Sequence, residues 1–280
     1  MNILLFTVLI WLGSIVAGFL GSLTGLGGGI VIVPLLTIVF GVDMRYAIGA
    51  SLVSVIATSS GAAATYVKEG FSNIRVGMFL EIATTVGALV GAFLALRLPT
   101  SVIAVIFGLV LMYSAYLSSH RKDENQCLEK SDHLGVILKM NGTYPTPQGI
   151  KSYEVSSVPA GSGLMFIAGI MSGLLGIGSG AVKVLAMDQV MRLPFKVSTA
   201  TSNFMIGVTA AASAGIYLNK GYIDPSLTMP VMLGVLLGST IGARRLFSAQ
   251  TKKLRIVFSI VVFLLAIQMI YSGIKAGVLK

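Results

Sequence analysis

Uncharged apolar stretches of about 20 residues recur along this chain, and no other feature restricts its fold as severely. A helix rising about 1.5 Å per residue needs about 20 residues to cross a hydrocarbon core of about 30 Å. The stretch from Ile3 to Leu23 supplies that length without a charged side chain. With 55% hydrophobic and 11% charged residues among 280, and a mean hydropathy of +0.90, the chain has too little polar surface to hide its apolar content from water. Lipid is therefore its main solvent. The alternation that a membrane barrel requires is absent, so the fold class predicted is an all-α polytopic membrane protein.

No Lys or Arg precedes Ile3 and no small-residue cleavage pattern follows Leu23 at the right distance, so the first segment reads as a retained helix and not a signal peptide. The single cysteine, Cys127, sits in a polar stretch and offers neither an internal disulfide nor a metal or redox site. The net charge of +10 does not indicate nucleic acid. The basic residues lie in short interhelical loops without interleaved aromatics, the pattern of loop charge that orients a membrane protein.

Displaced by 151 positions without a gap, the first half of the chain superposes on the second. Gly18, Gly25, Gly27 and Gly29 fall on Gly169, Gly176, Gly178 and Gly180, and Ser51, Thr58, Tyr66, Gly70, Gly87 and Gly91 fall on Ser202, Thr209, Tyr217, Gly221, Gly238 and Gly242. Chance does not hold register over so many glycines. Between the halves runs a polar stretch with an Asn141-Gly142 turn signal and Pro145 and Pro147, read as a linker with a small hairpin. The organisation expected is a first transmembrane repeat over 1–117, a polar cytoplasmic linker over 118–160 and a second repeat over 161–280.

Each half reads as about five hydrophobic segments. The second, Ile30 to Phe40 or Ala181 to Val190, is too short to cross comfortably and follows a glycine cluster. The first two segments are thus one interrupted crossing or a hairpin that turns back, and loop charge discriminates between these because Lys and Arg accumulate on the cytoplasmic side. Reversal divides the loop cations 14 to 5, with Arg121 and Arg244 on the rich side and Arg45, Arg97 and Lys220 on the other, whereas continuation divides them 10 to 9. Reversal is favoured, with both termini outside. An odd number of passes per half then makes the halves inverted repeats with glycine-broken first hairpins.

The clusters themselves, Thr24 to Gly29 ("TGLGGG") and Leu175 to Gly180 ("LGIGSG"), interrupt helix and leave backbone groups unpaired. Lipid tolerates such groups only where protein buries them or they line a cavity. Helices beginning at Ile30 and Ala181 would aim free N–H groups and a positive dipole end at an anion. The candidate binding residues here are Thr24, Gly25, Gly27, Gly28, Gly29, Gly176, Gly178, Ser179 and Gly180. A side chain at Gly29 or Gly180 is expected to fill the cavity and to meet a positive φ. The competing reading is close helix packing. No Lys-Ser/Thr follows the glycines as a phosphate loop requires.

The third segments carry polar stripes: Ser51, Ser54, Thr58 and Thr65, and Thr201, Ser202, Asn203, Thr209 and Ser213. Of these, Ser51, Thr201, Ser202 and Asn203 are further candidates, since hydroxyls and amides donate to an anion without placing a charge in lipid. Interhelical hydrogen bonding or bonding to the preceding turn is the alternative. Two charges interrupt apolar segments. Lys183 is a candidate to neutralise a bound anion, and Glu81 a candidate to carry a proton or pair with a lysine, against snorkelling or an interfacial position for each. Their counterparts are Ile32 and Met232. Gly87 with Gly91, and Gly234, Gly238 and Gly242, are assigned to helix packing. His120 and His133 have no second pair at ligand spacing, so no metal site is expected, and no nucleophile–base arrangement argues for an enzyme.

The runs "GFLGSLTGLGGGIVIVPLL" from Gly18 and "GIMSGLLGIGSGAVKVLAM" from Gly169, with "AIGASL" and "VSTATSN" in the third segments, resemble the TauE/SafE family of sulfite exporters over nearly the whole chain outside the linker. The resemblance implies export of a small sulfur-containing anion such as sulfite or an organosulfonate across the inner membrane, with no catalysis and no bound cofactor. The partners expected are the small anion and membrane lipid, not nucleic acid, with monomer and homodimer both open. Two readings from other classes stand beside it: a passive anion channel, and a membrane scaffold or assembly protein acting through its linker. Gly28 becomes Ser179 and Pro34 becomes Leu185 in the second half, so the half-sites need not contribute equally.

Overall fold

The computed structural model describes residues 3–24, 27–119, 132–146, 149–245 and 251–278. Gly25, His120, Arg121 and Cys127 lie outside these residues, and the side chains of Thr24 and Thr65 are likewise outside the description. The first half runs α1 (Ile3–Thr24), α2 (Gly29–Pro34, continued by a π-helical turn Leu35–Val39), α3 (Met44–Lys68), α4 (Ile74–Arg97) and α5 (Thr100–Ser119). After a short α6 (His133–Ile137) and the strands β1 (Gly142–Thr146) and β2 (Gly149–Tyr153), the second half runs α7 (Val158–Leu175), α8 (Gly180–Leu185, with a π turn Ala186–Val190), α9 (Phe195–Asn219), α10 (Pro225–Arg245) and α11 (Thr251–Val278). The starts of α2, α3, α4 and α5 and those of α8, α9, α10 and α11 differ by 151, so the sequence repeat is a structural repeat. Pro34 does not cause the π turn, because Leu185 precedes the same turn in the second half.

The glycine cluster reverses the chain. Gly21 lies against Gly27 and Gly28, Gly13 against Leu35, and the Phe6 ring packs edge-on against Phe40 at 5.2 Å, so α2 returns alongside α1. The second half repeats this: Gly161 abuts Met191, whose carbonyl accepts the Ser156 N–H at 3.1 Å. Of the two sequence readings of the first segments, the hairpin is the one the fold adopts.

Each half folds onto the other. Gly234, Gly238 and Gly242 of α10 press on the backbones of Trp11, Ile15 and Phe19, so α1 and α10 run parallel. Gly87 and Gly91 of α4 press in the same way on Phe166 and Ile170 of α7. In lipid, where apolar side chains gain little by leaving the solvent, such missing side chains allow backbones to approach and accumulate dispersion contacts. The self-equivalent pairs run antiparallel. Gly49 of α3 meets Tyr222 beyond the end of α9, while Ser59 bonds the Asn203 carbonyl, and Gly108 of α5 meets Ile270 of α11 while Gly273 meets Ser101 and Val105. A pseudo-two-fold axis lying across the helices relates the halves.

Both α3 and α9 end in glycine stops: Gly70 and Gly221 adopt φ of +74° and +73°, and the next N–H groups close onto Tyr66 and Tyr217 carbonyls at 3.1 and 3.0 Å. Asn73 then caps α4, its Oδ1 accepting the Val76 N–H at 3.1 Å. Its Nδ2 donates to the Met140 carbonyl and the Tyr153 hydroxyl, which fastens the linker to this end of the helices. Burial pushes the Tyr153 phenol above its ordinary pKa, with the Asn73 hydrogen bond pulling the other way. The linker does contain a hairpin, Gly142 pairing with Tyr153 and Thr146 with Gly149. Asn141 and Gly142 are not its turn. Asn141 Oδ1 accepts the Val155 N–H at 2.9 Å and closes the base of the hairpin instead.

Five of the described helices, α1, α3, α4, α7 and α10, are long and apolar enough to cross a membrane. The chain is an all-α polytopic membrane protein. Its α9 has the length of α3, 25 residues. Ser198, Thr199, Thr201, Ser202, Asn203, Thr209 and Ser213 are fully buried on it, so neighbouring helices rather than lipid receive its polar groups.

Candidate functional site

Where α1 and α7 stop, their last carbonyls lack intrahelical partners. The structure fills this need twice in the same way: the Tyr66 hydroxyl donates to the Ser22 carbonyl at 3.0 Å, and the equivalent Tyr217 hydroxyl donates to the Gly173 carbonyl at 3.4 Å. Both tyrosines are fully buried. Their recurrence is visible in the sequence, but their role depends on where the two helices end.

Beyond these stops the chain turns through left-handed geometry at Gly27 (φ +76°), and in the second half at Gly176 (+68°), Gly178 (+69°) and Ser179 (+47°). The expectation of positive φ at Gly29 and Gly180 is wrong. Each is the first residue of a helix, and the reversal is completed before it is reached. Gly29 requires glycine for a different reason. A Cβ there would stand 2.6 Å from Ser51 Oγ, 2.8 Å from the Gly176 carbonyl oxygen and 3.0 Å from Ile177 Cα. The two hairpin tips therefore touch in the middle of the molecule, and Ser51 locks them by donating to the Gly176 carbonyl at 2.6 Å.

The two tips are not alike. Gly28 precedes α2 with ordinary helical angles, whereas Ser179 precedes α8 in left-handed geometry with its hydroxyl 1% exposed and without a hydrogen-bond partner. Ser202 lies beside this second tip, its hydroxyl 3.4 Å from the Gly180 carbonyl. Asn203 Nδ2 donates to the Thr199 carbonyl at 3.2 Å and reaches the Ser22 carbonyl at 3.5 Å, leaving its buried Oδ1 without a donor.

Other polar positions are occupied structurally. Ser54, Thr58 and Ser213 donate to carbonyls of the preceding turn at 2.7, 2.9 and 3.3 Å. Thr201 does not join the tips. Its hydroxyl accepts the Asn73 N–H at 3.0 Å and supports the loop into α4, because it projects from α9 on a different side from Ser202. Ser59, which the sequence reading passed over, donates to the Asn203 carbonyl at 2.6 Å beside Gly207 and ties α3 to α9.

The two charges singled out separately meet. Lys183 of α8 is fully buried, and its Nζ lies 2.5 Å from Thr209 Oγ1 and 3.7 Å from Glu81 Oε2. Thr209, accepting from the lysine, directs its own proton to Glu81 Oε1 at 2.5 Å, and Thr85 Oγ1 stands 3.3 Å from the same oxygen. Lys183 therefore does not snorkel, and both charges are buried against protein. A buried ion pair of this kind nearly balances its desolvation against its attraction and becomes costly only when one partner is lost. It joins α4 of the first half to the broken hairpin of the second.

Comparison with known proteins gives a consistent picture. The family model described as sulfite exporter TauE/SafE matches residues 10–269. The chain is 31% identical over 276 residues to the probable membrane transporter protein YunE of Bacillus subtilis, covering 96% of this chain and 98% of that protein. It is 26% identical to the probable membrane transporter protein YdhB of the same organism over 242 residues, 86% and 89% of the two chains. A probable membrane transporter protein of Methanocaldococcus jannaschii is 26% identical over 92% of each chain. No solved structure matches.

Proposed function

The chain belongs to the TauE/SafE family, and from that premise we propose that it is a multi-pass membrane transporter that exports a small sulfur-containing anion, such as sulfite or an organosulfonate. The observation that carries this reading is the meeting of two glycine-tipped hairpins that enter from opposite ends of the molecule, Gly29 lying against Gly176 and Ile177. Backbone N–H groups at the starts of α2 and α8 have no intrahelical acceptors, and with the hydroxyls of Ser179 and Ser202 they form a donor-rich, charge-sparing environment for an anion. The tips are packed together, with Ser51 bonded across them, which favours a transporter that opens alternately to each side over a permanently open pore.

The orientation follows from charge. Arg75 donates to the Lys139 carbonyl at 3.1 Å, which groups the linker cations with Lys68, Arg192, Lys196 and Arg244 at one end. Arg45 reaches the Tyr222 hydroxyl and the Leu98 carbonyl, which groups it with Arg97 and Lys220 at the other. The linker end, being the richer in Lys and Arg, is cytoplasmic on this reading. Whether each hairpin counts as two short crossings or one re-entrant dip, three further helices make the total per half odd, and the halves are inverted.

Reconstitution into proteoliposomes tests the proposal. Saturable uptake of labelled sulfite or methanesulfonate that exceeds equilibrium when an ion gradient is imposed is the expected result. Flux that never saturates and never accumulates anion would replace the transporter with a channel.

A further inference from the structure

We propose that the coupling ion is a proton carried by Glu81, and that it crosses in the same direction as the anion because the anion takes Lys183 from the Glu81 carboxylate, which the proton then neutralises. This rests on the reading of the chain as an anion transporter. In the structure the Lys183 ammonium is held by Thr209 and Glu81, with side-chain exposures of 0% and 9% for the lysine and the glutamate. An anion arriving at the second tip meets no free cation there. It must take Lys183 from the carboxylate.

The tip and the lysine are neighbours. Lys183 lies one turn beyond Ser179, its N–H bonded to the Ser179 carbonyl at 3.1 Å, and long side chains on a helix lean back toward its N-terminus. The buried Ser179 hydroxyl without a partner supplies an independent sign that a ligand belongs at this point.

Charge balance fixes the coupling. In the empty state Lys183 and Glu81 cancel. If a monoanion displaces Glu81 from Lys183 while the carboxylate stays ionised, the buried site carries a net charge of minus one, which low-dielectric surroundings strongly disfavour. If Glu81 takes up a proton on its Oε2, which makes no hydrogen bond in the empty state, the anion pairs with Lys183 and the site is again neutral. Loaded and empty forms then both carry zero net charge through the middle of the membrane, and each anion moves with one proton, so that export runs down the anion's own outward gradient. A divalent anion leaves the loaded site charged, so the mechanism selects monoanions, sulfonates and hydrogen sulfite over sulfate. No other charged side chain intervenes on the described packing partners of Glu81. Its own helix carries Arg75 and Arg97 at its two ends, α7 carries none, α9 carries Lys196 in its first turn, and Asp188 lies on the π turn after α8.

The test uses the full chain in proteoliposomes with two labelled probes, methanesulfonate and sulfate. Exchange of internal for external methanesulfonate at equal pH measures anion movement alone, whereas net uptake driven by a pH gradient measures coupling. The parent protein is expected to exchange methanesulfonate at least tenfold faster than sulfate, and to accumulate it when the outside is acidified, independently of an imposed membrane potential. Glu81→Gln, which holds a neutral group in the place of the protonated carboxyl, is expected to lose pH-driven accumulation by a much larger factor than it loses exchange. Glu81→Asp should restore part of it. Lys183→Met should weaken methanesulfonate binding by about tenfold or more, and Glu81→Gln/Lys183→Met, with no unpaired charge, serves where a single variant fails to fold, and should show no dependence on pH. Exchange that continues in the parent without any response to the pH gradient overturns the proton coupling but leaves anion transport standing. Absence of exchange with either probe overturns both, and an unchanged pH response in Glu81→Gln overturns the role of Glu81.

Discussion

The contact between the hairpin tips is tested most directly by shortening one side of it and lengthening the other. Ser51→Ala removes a hydroxyl that lies 2.6 Å from the Gly176 carbonyl and leaves that buried acceptor without its side-chain donor, at a cost of about 1–3 kcal/mol. Gly29→Ala adds a methyl 2.6 Å from the same hydroxyl and 2.8 Å from the same carbonyl, where ordinary contact begins at 3.4 Å, so the tips must part by several tenths of an ångström. Overpacking of that kind costs about 1–3 kcal/mol and also stretches the Ser51 hydrogen bond. In the double variant the hydroxyl is already gone. The added methyl then meets the carbonyl and Ile177 Cα but no longer the hydroxyl, and no hydrogen bond remains to be stretched. The two costs should therefore fall short of additivity by about 1 kcal/mol, well above the roughly 0.3–0.5 kcal/mol within which independent sites add. Thermal denaturation of the four proteins in one detergent gives the cycle, each kcal/mol appearing as roughly 2–4 °C in Tm. Full additivity, with Gly29→Ala as costly in the Ser51→Ala background as in the parent, would refute the contact.

Gly238→Ala should lower Tm by an amount equivalent to about 1–3 kcal/mol, because its methyl would collide with the Ile15 carbonyl on the α1–α10 seam. Asn73→Ala removes the α4 cap together with two hydrogen bonds to the linker; limited proteolysis should cut the linker several-fold faster, while α4 is destabilised by about 1 kcal/mol. Single cysteines replacing Arg45, Lys220 or Arg244 in a Cys127→Ser background should react with an impermeant maleimide on intact cells at the first two positions only. Labelling of all three from one side would contradict the inverted arrangement.

Much of this architecture is written in the sequence because glycine records backbone geometry directly. The register of Gly18 to Gly91 on Gly169 to Gly242 identified the repeat, and the division of Lys and Arg between loops identified the reversal that Phe6 and Phe40 now display. What the sequence does not carry is azimuth. Thr201, Ser202 and Asn203 are consecutive, and only the packing of α9 decides that Thr201 supports the loop at Asn73 while Ser202 faces Gly180. The same holds for the glycines. Gly27 and Gly29 look equivalent in "GLGGG", yet one supplies a left-handed turn and the other makes room for Ser51 and Gly176.

The charged pair was half legible, and the reason bears on how the protein works. Lys183 and Glu81 each stand out as an ionisable residue in an apolar segment, but they belong to different halves, and nothing local links them. The repeat does. The pseudo-two-fold carries Lys183, Thr209 and Glu81 onto Ile32, Thr58 and Met232, so of two symmetry-related sites, each built from both halves, both keep the hydroxyl while one lacks both charges. A lysine without its glutamate, or the reverse, would leave an uncompensated buried charge costing about 3–5 kcal/mol, so the two must be gained or lost together. The shared absence of both charges from the symmetry-related site of Ile32, Thr58 and Met232 accords with their being partners. It also means that the charge site occurs once, to one side of the axis, although the hairpin tips occur twice. On the proposed reading as an anion transporter, a single off-axis ion pair gives the protein one loading point, so that one anion is counted per cycle rather than two.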